Sequence, residues 1–156
     1  MMIGIVSDKQ IKRGLRFGDV CIKFFYKKSL ANLPPKNILE AVVVRSGYLK
    51  ISSPELTAMD LLSYPNPSRG INHTATVLSE IVEKIDPKKL IDLARNAKGN
   101  SWLQRLGYIL EKIDTDSNDH RDLVVNAIFE YLSVQKLSFV TLVPEISPAG
   151  YGRCKK

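Results

Sequence analysis

The sequence predicts an α+β protein, with a small, mostly antiparallel β-sheet at the N-terminus followed by a bundle of about five helices. Apolar residues recur with a period of two in the first third of the chain, and the period becomes helical from Ser53 onward. The chain has 156 residues, of which 44% are hydrophobic, and this is enough to bury a core. We therefore expect a single domain over residues 1–156, with a basic β-rich part (1–52), a helical part (53–137) and a short strand with a tail (138–156).

The β-rich part contains apolar runs that are separated by turn signals. In the run 20–24, apolar residues occupy every second position, which is typical of a half-buried strand. The dipeptide Gly18-Asp19 comes directly before this run and is typical of a hairpin corner. Two further short runs, 41–44 and 48–51, are separated by another turn. These signals predict a small, mostly antiparallel sheet.

The helical part begins with a capping signal. Ser53 is a good N-cap, Pro54 suits the first helical position, and Glu55 complements the positive end of the helix dipole. Further helices are predicted to start at Ile71, at Asp86-Pro87, near Asn100-Ser101, and after a cap at Asn118 or Asp119. The residues predicted to face the core in helices two to five are Ile71, Ala75, Leu78, Val82, Ile85, Leu90, Leu93, Ala94, Ala97, Trp102, Leu106, Ile109, Ile113, Val124, Ile128, Tyr131 and Leu132. A last short strand is predicted over 139–143.

The net charge of +7 is concentrated at the two ends of the chain. Residues 1–50 hold ten Lys and Arg against three Asp and Glu, residues 51–152 hold ten against thirteen, and residues 153–156 hold three against none. The apolar content excludes a disordered chain, and no apolar run is long enough to span a bilayer. Because the start of the sequence also lacks a secretory signal pattern, we expect a cytoplasmic protein without membrane contact.

The first third of the chain therefore offers a surface for an anionic partner. Its basic residues lie close to Phe25 and Tyr26, and cations next to aromatic rings suit phosphate contact combined with base stacking. The candidate contacts with nucleic acid, either DNA or RNA, or with another partner are Lys12, Arg13, Arg16, Lys23, Lys27 and Lys28. The alternative is that these cations only keep a small sheet soluble.

No catalytic or metal constellation is predicted. His73 and His120 lie far apart without a nearby nucleophile, so both are interpreted as surface histidines. The stretch 114–118 copies the first ligand positions of a calcium loop, but Asp119 and Val125 stand where that loop needs glycine and glutamate. We therefore expect no enzyme activity, no cofactor and no metal. A nucleotide-modifying enzyme would need a carboxylate pair or a metal site that the sequence does not offer.

Three stretches of the helical part follow one another in a recognisable order. The first, 52–65, reads SSPELTAMDLLSYP. The second comprises Arg69-Gly70-Ile71 and the run 75–81, and the third, 104–111, reads QRLGYILE. Upstream lie the runs 12–18, which reads KRGLRFG, and 22–24, which reads IKF. Together these residues resemble the AbiEi family of antitoxins, and the resemblance covers most of residues 2–113.

The resemblance implies a function. AbiEi antitoxins belong to bacterial type IV toxin–antitoxin systems, which are associated with abortive infection against phage, and they counteract nucleotidyltransferase-like toxins, generally without a stable complex. Family members usually begin with a winged helix-turn-helix that binds their own promoter. The residues before Ile3 leave no room for it, so we expect the antitoxin domain alone. The alternative is a nucleic-acid-binding transcriptional regulator that uses the basic N-terminal sheet.

The residues of the family motif are Ser53, Pro54, Glu55, Asp60, Tyr64, Gln104, Arg105, Gly107 and Tyr108. For most of them we expect a role in holding the fold together. Gly107 should let two helices approach closely, and Tyr64 should end the first helix. Charged residues inside apolar helical patterns are rarely buried unless they are paired. We therefore expect Arg105 to form an ion pair with Asp60 or Glu55 that holds the first and fourth helices together.

Overall fold

The computed structural model of the chain confirms the α+β class. It describes residues 2–33, 39–63, 70–97, 99–113 and 119–142. The chain divides into two compact units, Met1–Pro34 and Pro35–Lys156. The first unit carries a three-stranded sheet, and the second carries a β-hairpin and five α-helices within the described residues. The single domain expected over the whole chain stays a prediction.

The first unit is a sheet in the strand order β1-β3-β2. The strands are β1 (Met2–Ser7), β2 (Leu15–Phe17) and β3 (Val20–Tyr26), and a 3₁₀ turn follows at Lys28–Asn32. Strands β2 and β3 are antiparallel and are joined by a turn at residues 18–19, which confirms the predicted hairpin corner.

Strand β1 pairs with β3 in the parallel direction, which the sequence pattern does not reveal. A parallel pair needs a crossover connection of about a dozen residues. Here the chain between the two strands contains a loop and β2, which lies on the other side of β3. Alternation of apolar residues identifies a strand but carries no information on its direction, so this neighbour relation was not predictable.

The second unit opens with a hairpin of β4 (Leu39–Val44) and β5 (Gly47–Ser52). The two strands pair antiparallel, with Val44 opposite Gly47 beside the turn. This confirms the two short runs that the sequence predicts. Every residue of both strands is exposed, so the hairpin contributes nothing to the buried core.

Five helices follow the hairpin. They are α1 (Pro54–Ser63), α2 (Ile71–Ile81), α3 (Pro87–Asn96), α4 (Ser101–Lys112) and α5 (Asp119–Ser133), with a 3₁₀ turn at Val82–Lys84 after α2. Helix α4 packs against α1, α2 and α5. Among the described residues, every buried hydrophobic side chain except Leu33 lies between Leu56 and Leu132, so the core belongs to the helices.

Most of the predicted core positions are buried. Those that are only half-buried are Ile71, Ala75, Ala97, Ile113 and Tyr131. They lie near helix ends or at the edge of an apolar stripe, where a neighbouring helix covers only part of the side chain. The buried residues that the prediction left out include Thr74 on α2 and Leu103 and Leu110 on α4. Helix α4 packs against three other helices and therefore buries a wider face than a single stripe.

The strand predicted over 139–143 is not formed in the part that the structure describes. Residues 139–142 belong to no strand, and Phe139 is 81% exposed. The run has strand-forming residues, but none of the described strands pairs with it. The carbonyl of Thr141 accepts a hydrogen bond from a side chain instead. Residues 64–69 and 114–118, Val143 and the tail lie outside the described residues.

Candidate functional site

Helix α1 begins at the cap that the sequence predicts. The Ser53 side chain is buried, and its Oγ accepts a hydrogen bond from the backbone N–H of Leu56 at 3.2 Å. The Ser53 carbonyl accepts another from the backbone N–H of Thr57 at 2.9 Å. Pro54 is the first helical residue. This part of the matched sequence therefore starts a helix, and the Ser53 side chain caps it.

Glu55 makes a contact that no local pattern reveals. Its side chain is 1% exposed, and Oε1 accepts a hydrogen bond from the backbone N–H of Asp86 at 2.8 Å. Asp86 is the N-cap of α3, and its own Oδ1 accepts from the N–H groups of Lys88 (2.8 Å) and Lys89 (3.3 Å). Two carboxylates therefore lie at the positive end of α3. The contact ties α1 to the N-cap residue of α3, which lies 31 residues after Glu55.

The other side of the same peptide group is bound by a histidine. His120 Nε2 lies 2.9 Å from the carbonyl oxygen of Ile85, so Nε2 must carry the proton and donate it. The Ile85–Asp86 peptide is thus held by Glu55 through its N–H and by His120 through its C=O. The surface position predicted for His120 is wrong, because α5 packs against the 3₁₀ turn after α2 and brings the half-buried ring to this peptide. His73 is exposed, as predicted.

The ion pair predicted for Arg105 is wrong. Its Nε donates to the carbonyl of Thr141 at 2.7 Å, and no ion pair within the described residues joins it to Glu55 or Asp60. Desolvation by burial lowers the pKa of the Arg105 guanidinium, since the charged form loses contact with water. The side chain therefore ties the segment after α5 to α4. The sequence could not indicate this partner, because the two residues lie 36 positions apart.

The remaining matched residues divide between packing and surface. A Cβ at Gly107 would lie 3.1 Å from Ile128 Cγ2, so the glycine lets α4 approach α5 closely. Tyr108 is 50% exposed, and the Lys112 ammonium lies 6.0 Å from the centre of its ring. Asp60 and Gln104 are half-buried. Tyr64 lies outside the described residues.

The basic residues of the first unit lie in a different environment. This unit contains seven lysines and arginines against two aspartates. Arg16 pairs directly with Cys21, so its side chain lies on the same face of the sheet as Cys21, Lys23 and Phe25. The opposite face is apolar, and its exposed side chains are Ile5, Leu15, Phe17 and Tyr26. Cations and aromatic rings that alternate in the sequence are therefore largely separated onto two faces, and Phe25 is the β3 aromatic residue that shares the face of Lys23.

Three of the six predicted contact residues line one groove. An open groove of about 380 Å³ lies between the loop before β2 and the strands, and Lys12, Arg16 and Lys23 contribute to its lining. The three other predicted cations are not in that lining. Arg13 is an exposed loop residue, Lys27 is half-buried after β3, and Lys28 opens the 3₁₀ turn.

The groove depends on a glycine. A Cβ at Gly14 would lie 2.7 Å from the backbone carbonyl oxygen of Ile22, closer than any side chain tolerates. The loop that carries Lys12 therefore approaches β3 more closely than a larger residue would allow. Gly14 belongs to the KRGLRFG run, and its need for close approach was missed because the sequence does not show which backbone it meets.

The described parts of the chain contain no cluster of three or more His, Cys, Asp or Glu side chains that could hold a metal ion. Among the same residues, no helix is both long enough and apolar enough to cross a membrane.

Comparison with known proteins identifies the class. Residues 6–112 match the AbiEi antitoxin C-terminal domain. No curated protein and no solved structure matches the chain. The matched range contains both the basic groove and the Glu55–Asp86 contact. The family match defines the chain as an antitoxin of a toxin–antitoxin system. The chain belongs to the AbiEi antitoxin C-terminal domain family, which confirms the resemblance seen in the sequence.

Proposed function

We propose that this protein is the antitoxin of a bacterial type IV toxin–antitoxin system that counteracts a nucleotidyltransferase-like toxin and thereby takes part in abortive infection against phage. The observation that carries the proposal is the family match over residues 6–112. The structure agrees with this match, because Ser53 and Glu55 of the matched motif make buried contacts within the helical fold. The protein acts in the cytoplasm and without catalysis of its own.

The test is a co-expression experiment. The nucleotidyltransferase gene that neighbours this gene is induced in a host with and without the antitoxin, and growth is followed. We expect the toxin to arrest growth and the antitoxin to restore it. Antitoxin variants that are shown to be unfolded serve as the negative control and should fail to restore growth. Arrest that persists in the presence of the folded antitoxin, or the absence of such a neighbouring gene, would contradict the proposal.

The proposed neutralisation does not depend on a stable complex. Size-exclusion chromatography of the two purified proteins together should give two separate peaks, while growth is still restored in cells. A co-eluting complex that survives dilution would instead make the mechanism a direct inhibitory contact. In that case the antitoxin function would stand and the type IV assignment would be wrong.

A second candidate function is nucleic-acid binding in transcriptional regulation, and the groove in the first unit favours it. Cations that neutralise phosphates release bound counterions, so binding weakens steeply as salt rises. The observation behind this candidate is that Lys12, Arg16 and Lys23 line one concavity. Labelled DNA and RNA should bind the purified protein at low salt and dissociate as salt is raised. Affinity that does not change with salt would contradict this role.

A further inference from the structure

We infer that the groove in the first unit binds a single-stranded nucleic acid, whose phosphates contact Lys12, Arg16 and Lys23. This inference rests on the nucleic-acid role proposed above and narrows it to one class of ligand and to three of the six candidate cations. Each of the three side chains belongs to an exposed residue, so none of their charges is removed from solvent by the fold.

The net positive charge of the first unit favours an anionic ligand. Its seven basic residues stand against two acidic ones, whereas the second unit has sixteen against fourteen. The three groove cations come from three different segments, namely the loop before β2, strand β2 and strand β3. Basic side chains that come from separate segments and line one groove can contact successive phosphates of a nucleic-acid backbone.

The shape of the site favours a single strand over a duplex. A protein reads duplex DNA by inserting a convex element, usually a helix or a two-stranded ribbon, into a groove about 12 Å wide. The described residues of the first unit contain no α-helix, and their β2–β3 hairpin belongs to a three-stranded sheet because β1 pairs with the other edge of β3. The cations line a hollow of about 380 Å³. A rigid duplex does not enter such a hollow, but a flexible single strand does. Phe25, which is half-buried, also lines the groove.

Gly14 sets the geometry of the groove. The loop bearing Lys12 reaches the β3 backbone only because residue 14 has no Cβ. Lys12 comes from that loop, while Lys23 comes from β3 itself. The close approach of two backbone segments fixes the position of Lys12 relative to Lys23. A general excess of surface charge would have no such fixed geometry.

The test uses the full chain and fluorescence anisotropy with single-stranded RNA, single-stranded DNA and duplex DNA of one length and sequence. The groove variant is Lys12→Glu, Arg16→Glu and Lys23→Glu. The control is Lys84→Glu, Lys89→Glu and Lys136→Glu, which changes exposed lysines of the second unit and alters the net charge equally. A milder groove variant with Gln at the same three positions covers the case in which the charge reversal fails to fold, as judged by circular dichroism.

We expect single strands to bind more tightly than the duplex. The groove variants should lose at least tenfold in affinity, and the control should lose less than threefold. The slope of log affinity against log salt should fall by about 2 in the groove variant, since each single-strand phosphate contact contributes about 0.7. The RNA and DNA single strands distinguish a requirement for the 2′-hydroxyl from backbone charge alone.

Each other outcome has a distinct meaning. Tighter duplex binding that depends on the same three cations overturns this inference but leaves the nucleic-acid role in place. Equal losses in the groove and control variants overturn it as well, because they show a net-charge effect. If no nucleic acid binds, both the inference and the nucleic-acid role fail, while restoration of growth against the toxin tests the antitoxin function independently.

Discussion

The helical region and the N-terminal sheet use their charged residues in opposite ways. In the helical region, Glu55 is buried and bound to a backbone N–H, and Arg105 is partly buried and bound to a backbone carbonyl. In the sheet, Lys12, Arg16 and Lys23 belong to exposed residues and line a groove. Charged residues in the family motifs therefore have two different roles. Buried ones satisfy the backbone and hold the fold, and exposed ones are available to a partner.

This comparison makes stability and binding separable properties. Substitutions in the helical region should lower the free energy of unfolding, and binding should suffer only when the fold is lost. Substitutions of the groove cations should leave stability almost unchanged and lower affinity. The predictions below test that separation.

The largest effect is expected in the helical core. Leu106 on α4 is fully buried, so Leu106→Ala removes buried methyl groups and leaves a cavity. The loss should be about 2–5 kcal/mol in urea unfolding. The matched control is Leu123→Ala on α5, where the residue is 60% exposed, and its cost should stay below about 0.5 kcal/mol. Equal costs at the two positions would contradict the placement of the core in the helices.

The same region shows what the sequence could and could not predict. Start signals such as Ser53-Pro54 and Asp86-Pro87 are local, and the structure contains the helix starts that they predict. The partners of Glu55, His120 and Arg105 lie 31 to 36 residues away, and no local spacing indicates them. The expectation that a charged helical residue needs an opposite charge failed because free backbone groups at helix ends and loops satisfy it equally well.

In the sheet, the limits of prediction have another cause. The cations themselves are visible in the sequence, but the period of two assigns neighbours such as Lys23 and Phe24 to opposite faces. Which of six cations share a groove depends on the register of β2 against β3 and on the loop at Gly14. The site could therefore be predicted as a region, and its individual residues could not be selected.

An intermediate effect is expected at the contact between α1 and α3. Glu55→Ala leaves the N–H of Asp86 without its acceptor and should cost about 1–3 kcal/mol in urea unfolding. Glu55→Gln keeps an acceptor oxygen and removes the charge. Its cost should be smaller than that of Glu55→Ala, because the acceptor for the Asp86 N–H is kept, although the amide NH2 replaces Oε2, which has no hydrogen-bond partner among the described residues. Glu80→Gln, at an exposed position on α2, serves as the control. If Gln cost as much as Ala, the hydrogen bond to Asp86 would not be the stabilising element.

The smallest effects are expected at two glycines, Gly107 in the helical region and Gly14 in the sheet. Gly107→Ala places a methyl group 3.1 Å from the Ile128 side chain, which can shift, and alanine is favoured over glycine inside a helix by about 1 kcal/mol. The two terms oppose each other, so the net change should be close to zero. Gly14→Ala places a methyl group 2.7 Å from a backbone carbonyl oxygen, which cannot move without shifting β3.

Gly14→Ala should therefore cost about 1–2 kcal/mol, and the cost should be confined to the sheet. Amide hydrogen exchange separates the regions, since faster exchange is expected in β2 and β3 while α4 is unchanged. The same variant keeps every cation but displaces the loop that carries Lys12, so its affinity for single-stranded nucleic acid should fall at least threefold. Unchanged affinity in a variant with a loosened sheet would show that the charges act without the groove. Faster exchange in α4 than in β3 would show that the sheet and the helices do not respond separately.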